Sequence, residues 1–436
     1  MSSDVTARPV GFFSLATLGG LWSRIWFQDR PTTPLEITRI GIGFAMLLHY
    51  ALATPYLYLL WGNDGWFPRD PLHANDGGAG IWEQSVFFYF NAAWQWPLFH
   101  AFFLFCCAAL MLGWRTSLFK WLVLIGHISY DQRSPNLAYG VDAILACLLV
   151  ILCFAPTGKA LSLDRVRAVR RAKRTDLGAM VPQFSSPWTG ACIRLMQIQM
   201  AVLFYVSATD KMTGEDWRTG EAVWRVFYHV DYSNDLMLSL FASHYWLSPL
   251  ATYGTIVIEL AYVFFIWPRR TRPYALAGAL FLHSQFALLM RLYYFSFVMA
   301  MGHMSFLRRE WLDRLGAFWV RKVGPMEMIY DGQCGFCKRS MAAFLAFDGL
   351  RQISIRDYRT NPSPVVPSEK VDKALYLVLP DGRALPGFEA YRYVVPRVPG
   401  LWWMVPLFYI PVLSRLIGRP LYNWIATHRS LLSKYA

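Results

Sequence analysis

Cys334 and Cys337, separated only by Gly335 and Phe336, are the side chains of this sequence best placed for redox chemistry. Residues 327–330 (Glu-Met-Ile-Tyr) predict a short strand, and Asp331-Gly332-Gln333 the turn that ends it. From Lys338 to Leu345 apolar residues fall three and four apart, which predicts a helix. A thiol at such a strand-to-helix junction meets the partial positive charge of the helix N-terminus, which favours thiolate. A drop in the Cys334 pKa from about 8.5 to about 7 would raise its thiolate fraction at neutral pH from roughly 3% to about half. Cys337 lies one turn on, within reach to resolve a mixed disulfide. A zinc knuckle would need two more Cys or His ligands, and His428 is the only histidine in this part of the chain; no metal is expected.

The stretch Tyr330-Asp-Gly-Gln-Cys-Gly-Phe-Cys337 resembles the Asp-x-x-Cys-x-x-Cys signature of the DCC family of thioredoxin-like thiol-disulfide oxidoreductases. A Leu375–Leu379 strand, an Asp381-Gly382 turn, Gly387-Phe-Glu-Ala390 and a long apolar C-terminal segment match as well. The resemblance covers residues 325–436. It implies a small α/β thioredoxin-like domain of protein-disulfide reductase type. Cys334 would be its nucleophile, Cys337 its resolving thiol and Asp331 a motif acid, with a thiol protein as partner.

This domain is the minor part of the chain. At 55% hydrophobic and 17% aromatic residues, with a mean hydropathy of +0.29, the composition is that of an integral membrane protein. Eight apolar spans are read at residues 35–60, 87–113, 117–131, 138–156, 190–209, 247–267, 274–291 and 293–307. The expected organisation is an N-terminal interfacial segment (1–34), an α-helical multi-pass bundle (35–310), a linker (311–324) and the dithiol domain (325–436). Gly11 to Phe27 lacks the features of a cleavable signal peptide and reads as an interfacial amphipathic helix.

Basic residues orient the bundle. Lys159, Arg165, Arg167, Arg170, Arg171, Lys173 and Arg174 follow the fourth span, and Arg269, Arg270 and Arg272 the sixth. Arg115 and Lys120 follow the second, and Arg308, Arg309, Arg314, Arg321 and Lys322 the last. The intervening loops carry few, among them Arg69, Arg133, Lys211, Arg218 and Arg225. By the positive-inside rule both termini are cytoplasmic, in the inner (cytoplasmic) membrane, and loops 61–86 and 210–246 face outside. The basic run at residues 165–174 is thereby accounted for by topology and anionic lipid headgroups rather than nucleic acid. Of seven cysteines, Cys106, Cys107, Cys147, Cys153 and Cys192 sit in or beside spans as small hydrophobes.

The segment Phe204 to Gly220 puts Lys211 at the outer end of a span, ahead of Gly214, Asp216 and Trp217. With Arg39-Ile-Gly41, Ser134–Gly140, Phe154-Ala-Pro156, Leu163-Asp164 and His283…Met299, it resembles the vitamin K-dependent gamma-carboxylase-like, or HTTM, family over residues 20–310. In the carboxylase the lysine matching Lys211 is the base that deprotonates vitamin K hydroquinone. The resemblance therefore implies Lys211 as base and a quinone or another lipid-soluble molecule as ligand. The carboxylase's large substrate-binding region has no counterpart here, so gamma-carboxylation is not expected. Lys211 could equally snorkel beside Asp210 or Glu215; Lys211→Ala and Lys211→Arg are expected to lose activity with stability nearly unchanged.

Glu259, a carboxylate deep in the sixth span, is expected to partner His283 or to line a polar cavity, with Trp217 as a further substrate-binding candidate. His49, His100, His127, His283 and His303 all lie in or near spans, and a neutral, hydrogen-bonded histidine is the expectation for each. Two function classes follow. One is a membrane redox enzyme whose bundle handles a quinone-like ligand; the other is a scaffold that tethers a thiol reductase to the membrane.

Overall fold

The computed structural model describes residues 15–66, 85–171, 184–229, 232, 235–348, 350, 352–372 and 374–434. The first residues of the expected interfacial helix, the stretch around Arg69, and Lys173 and Arg174 lie outside them. Each of the eight expected spans falls on a helix, but five have the length and composition to cross a membrane: Thr33–Trp61, Gln95–Leu112, Pro187–Thr213, Leu247–Phe265 and Arg272–Met290. A sixth candidate is a pair, Pro399–Tyr409 and Pro411–His428, bent by 78°. Thr116–Arg133 is diluted by Lys120, Asp131 and Arg133. Gly140–Phe154 and Tyr293–His303 have 15 and 11 residues, at 1.5 Å each too short for a core about 30 Å thick. Near the N-terminus, Leu15–Trp26 is helical and exposes Leu21, Trp22 and Ile25.

The chain divides into two compact units. One holds residues up to 32, 147–156 and 185–305; the other holds 33–146, 157–184 and 306 onward. The C-terminal sheet domain thus shares a unit with the first spans. Residues 311–323, expected as linker, belong to the helix Arg309–Val323.

In the second unit a fully buried Arg39 ties three segments together. Its Nε donates to Glu36 Oε2 at 2.8 Å, and its guanidinium also donates to the carbonyls of Leu110, Met111 and Leu161. Glu36 in turn accepts from the backbone of Lys159 and Ala160. Paired and hydrogen-bonded in this way, a charge can be buried. Asp164 accepts from the backbone N–H groups of Arg115 and Thr116 at the start of the next helix. Both motif stretches, at Arg39 and at Leu163-Asp164, are structural clamps.

The sheet domain has four strands, β1 (Met326–Tyr330), β2 (Ile353–Asp357), β3 (Tyr376–Val378) and β4 (Ala384–Pro386), in the order β2-β1-β3-β4. β1 and β2 are parallel and joined by the helix Gly335–Phe347; β3 is antiparallel to β1, and β4 to β3. β1 alternates as a doubly covered strand must. Met326, Met328 and Tyr330 join the cluster with Met341 and Phe344, while Ile329 joins Tyr358, Val366 and Val371. The β3–β4 turn uses Gly382 at φ 81°, a left-handed position suited to glycine.

Candidate functional site

At the end of β1, Asp331 shapes the turn that presents the thiols. Its Oδ1 accepts from the Gln333 N–H at 2.9 Å and its carbonyl from the Cys334 N–H at 3.2 Å. Arg359 clamps the same carboxylate from the loop after β2, with Nε at 3.1 Å from Oδ1 and Nη2 at 3.3 Å from Oδ2. Gly332 has a packing reason: a Cβ there would lie 1.8 Å from Asp357 Oδ2. Cys334 is the N-cap of the helix Gly335–Phe347, and its Sγ accepts the Cys337 N–H at 3.2 Å. Helix N-termini carry unpaired N–H groups and positive dipole charge, so this sulfur is held where a thiolate is stabilised. Both cysteines are partly exposed.

In the first unit Lys211 closes the last turn of the helix Pro187–Thr213. Its ammonium donates to Ser207 one turn back and lies 3.0 Å from Glu259 Oε1, on the helix Leu247–Phe265. The Ser207 hydroxyl donates to the same carboxylate oxygen at 3.1 Å. Trp217 lies over the ammonium at 5.2 Å, a cation–π contact supplied by the turn after the helix. Lys211 and Trp217 stand at the wall of a cavity of about 630 Å³, otherwise lined mainly by apolar side chains such as Phe227, Met237, Ile258 and Phe286, with Thr255 and Gln285 as further polar members. A large apolar cavity with one convergent cation suits an oily ligand with a polar end. Glu259 Oε2 and both ring nitrogens of His283 are buried without hydrogen-bond partners.

The sequence profile of the HTTM domain matches residues 84–311, just over half of the chain. The chain belongs to the HTTM family. After its HTTM domain it carries a match to the DCC1-like thiol-disulfide oxidoreductase family over residues 328–434. A membrane domain and a thiol-disulfide oxidoreductase domain are thus fused in that order. No curated protein and no solved structure matches the chain.

Of the residues singled out in the sequence, the HTTM domain brings Lys211, Trp217 and Glu259 together. Glu259 pairs with Lys211 and not with His283, and Lys211 pairs with neither Asp210 nor Glu215. Asp210 precedes Lys211 on the same helix and Glu215 opens the next short helix, whereas Glu259 reaches Lys211 from the helix Leu247–Phe265. His283 packs against Phe204 and 5.6 Å from the His303 ring, whose Nδ1 bonds the Tyr262 hydroxyl at 2.9 Å. Ser207 was not singled out, although its spacing of four from Lys211 is the helical signal for a shared face.

In the HTTM protein's second unit, His100 and His127 are hydrogen-bonded as expected. His100 bridges Tyr130 and Thr54, and His127 bridges the Tyr50 hydroxyl and the Asp142 carbonyl. His127, Asp131 and Asp142 bring ligand-type atoms within 4.8 Å of one another, a cluster foreshadowed by the i,i+4 spacing of His127 and Asp131. Both nitrogens of His127 and one oxygen of Asp142, which accepts from Tyr139 N at 2.7 Å, are already engaged by the protein. The cluster is a polar staple between two helices.

In the dithiol domain, Arg359 and Tyr391 went unnoticed in the sequence. Tyr391 stacks on Phe344 at 4.9 Å. Burial pushes its hydroxyl above the ordinary phenol range, with Tyr422 and the two thiols adding to the push and the Ser340 hydrogen bond opposing it.

Proposed function

We propose that this protein is a membrane-bound thiol-disulfide oxidoreductase of the protein-disulfide reductase type. Its dithiol domain has a thioredoxin-like fold and works in the cytoplasm, with Cys334 as nucleophile and Cys337 as resolving thiol. The observation that carries the reading is the capping geometry, with Cys334 Sγ accepting the Cys337 N–H at the helix N-terminus. The strand order, with the thiols directly after the central β1, supports the fold assignment.

In the reaction the Cys334 thiolate attacks a partner disulfide, forming a mixed disulfide and releasing one partner thiolate. The Cys337 thiolate then attacks Cys334 Sγ, giving the Cys334–Cys337 disulfide and the second partner thiol. Two electrons pass to the partner, and a cytoplasmic dithiol restores the reduced pair. Asp331 orients the turn through its clamp with Arg359.

We propose further that the HTTM domain binds a quinone-like or similar lipid-soluble molecule in the cavity beside Lys211. Lys211 meets its polar end either as a charge or, once separated from Glu259, as a base; Trp217 lines the cavity beside it and Glu259 holds the lysine, while His283 is not among the lining residues. The mainly apolar lining, with the Lys211 ammonium at its wall, supports a ligand with an oily body and one polar end.

The test is a trapping experiment with the full-length protein. Cys337→Ser should accumulate a mixed disulfide between Cys334 and a partner, resolved by added dithiol, and Cys334→Ser should not. Faster alkylation of Cys337 than of Cys334 would reverse the roles, and alkylation of neither above the rate of free cysteine would remove the activity. Mass spectrometry of lipid co-purifying with the protein tests the cavity; loss of the bound species in a variant with the cavity filled, Ala251→Trp, is the expected result.

A further inference from the structure

We infer that the C-terminal helical segment of the dithiol domain is an interfacial anchor that binds anionic phospholipid headgroups, and not a membrane span. Residues 399–436 contain no Asp or Glu, while they carry Arg415, Arg419, Arg429 and Lys434. The segment is broken at Ile410 and bent by 78°. One side of it packs into the domain core through Leu401, Phe408 and Tyr422. That attachment denies the segment the depth of a span, since a folded domain core cannot follow it into hydrocarbon.

Its other side is uncovered and apolar. Leu416 is 71% exposed and Val412 62%, with Ile417, Leu421 and Trp424 also exposed. A patch of this kind on a soluble face marks an interaction site. Beside it opens a cleft of about 380 Å³ whose lining includes Arg392, Arg415 and Arg419. Arg419 pairs with Glu389 at 2.7 Å, and Arg392 approaches the same residue at 3.9 Å. Arg415 has no ion-pair partner among the described residues. Three guanidiniums against one carboxylate leave the cleft cationic.

Arginines suit phosphate because their planar fork donates two parallel hydrogen bonds. Apolar side chains buried beside a basic cleft are the pattern of a helix lying in the headgroup layer of an anionic leaflet. The occupant is a lipid and not a soluble partner because the same chain is held in the bilayer by the HTTM domain, so this surface is always within reach of headgroups. The inference does not depend on the dithiol being active.

Full-length protein in nanodiscs tests it. A nitroxide is attached at Leu416→Cys in a variant with Cys334, Cys337 and Cys147 changed to Ser, and its collision rates with oxygen and with a water-soluble nickel chelate are measured. In discs of phosphatidylcholine with phosphatidylglycerol the label should favour oxygen at a depth near the headgroups, and a control label at Asn361→Cys should stay aqueous. Arg392→Gln, Arg415→Gln and Arg419→Gln together should raise nickel access at 416 several-fold, and pure phosphatidylcholine should do the same. Circular dichroism and an unchanged melting transition establish that the triple variant is folded. An aqueous label at 416 in both lipids overturns the anchor and leaves the face to a protein partner. Immersion equal in both lipids and in the triple variant overturns headgroup recognition, and a label at the bilayer centre restores a spanning pair.

Discussion

Lys211 Nζ lies 3.0 Å from Glu259 Oε1, joining residues 48 positions apart on two neighbouring helices of the HTTM domain. The side chains are 19% and 6% exposed, so the pair is largely withdrawn from water. Ser207 donates to the same carboxylate oxygen, and Trp217 covers the ammonium. The charge at the head of the apolar cavity is therefore a held one. Its partner across the helix interface is as much a part of the site as the lysine.

The first prediction corrects the expectation that Lys211 variants leave stability unchanged. Lys211→Ala strands the Glu259 carboxylate in a nearly dry site and should cost about 3 kcal/mol, seen as a lower melting temperature in detergent. Lys211→Arg should cost much less because it keeps the charge. Lys211→Met combined with Glu259→Gln should recover most of the loss. Equal melting temperatures for Lys211→Ala and wild type would show that the pair contributes nothing to the fold. Ligand retention in Lys211→Arg separates the two roles, since arginine keeps its proton at neutral pH and so can replace a charge but not a base.

Much of this site was legible in the sequence because its members announce themselves by type. A lysine at a span end, a tryptophan in the following turn and a lone carboxylate within an apolar helix each stand out against their surroundings. Their pairing was not legible, because it depends on how two helices are rotated against each other, and hydropathy is silent on rotation. The dithiol turn was read more completely because strand, turn, N-cap and helix are local in sequence. Arg359 escaped since it reaches Asp331 from beyond β2, across the parallel pairing of β1 and β2. Span lengths were over-read where apolar residues continue past a helix end, as after His303.

A second prediction concerns Gly332. Its N–H donates to Asp357 Oδ1 at 3.0 Å, so the turn is pinned directly against that carboxylate. Gly332→Ala brings a methyl into the oxygen and should destabilise the dithiol domain by about 2 kcal/mol. Alkylation of Cys334 should slow together with it, as the turn shifts and the cap is lost. Asp357→Ser in the same chain should restore part of both. A Gly332→Ala protein with unchanged melting and alkylation would show that the turn has room which the geometry denies.

The third prediction is topological. The proposed orientation rests on the basic residues around 159–171 and 308–322; it puts both stretches and the dithiol domain in the cytoplasm, and so requires an even number of crossings between them. In intact cells Arg167→Cys should be shielded from an impermeant thiol reagent, and Ser239→Cys should be labelled, each in a chain lacking other accessible cysteines. The reverse pattern would invert the protein and bring the dithiol into an oxidising compartment, where it would rest as a disulfide.

The last prediction follows from Tyr391. Burial raises the pKa of its hydroxyl in the folded protein above the value of about 10 expected in the unfolded chain. Between those two values the folded state holds a proton that the unfolded state has lost, so stability falls as pH rises through this window. Below about pH 10 the contribution is fully present and level, because both states are protonated. Tyr391→Phe removes the titration while keeping the ring stacked on Phe344. It should therefore lose less stability between pH 9 and pH 11 than the wild type, measured by thermal melts of the full-length protein in detergent and by tyrosinate absorbance. Tyr358, whose hydroxyl is raised by burial and by its bond to Asp372, contributes a loss of the same sign and remains in both proteins. The difference between the two melting curves thus isolates Tyr391. Parallel curves over the whole alkaline range would mean that the hydroxyl ionises as readily in the fold as outside it, and that the aromatic wall beside the thiols admits water.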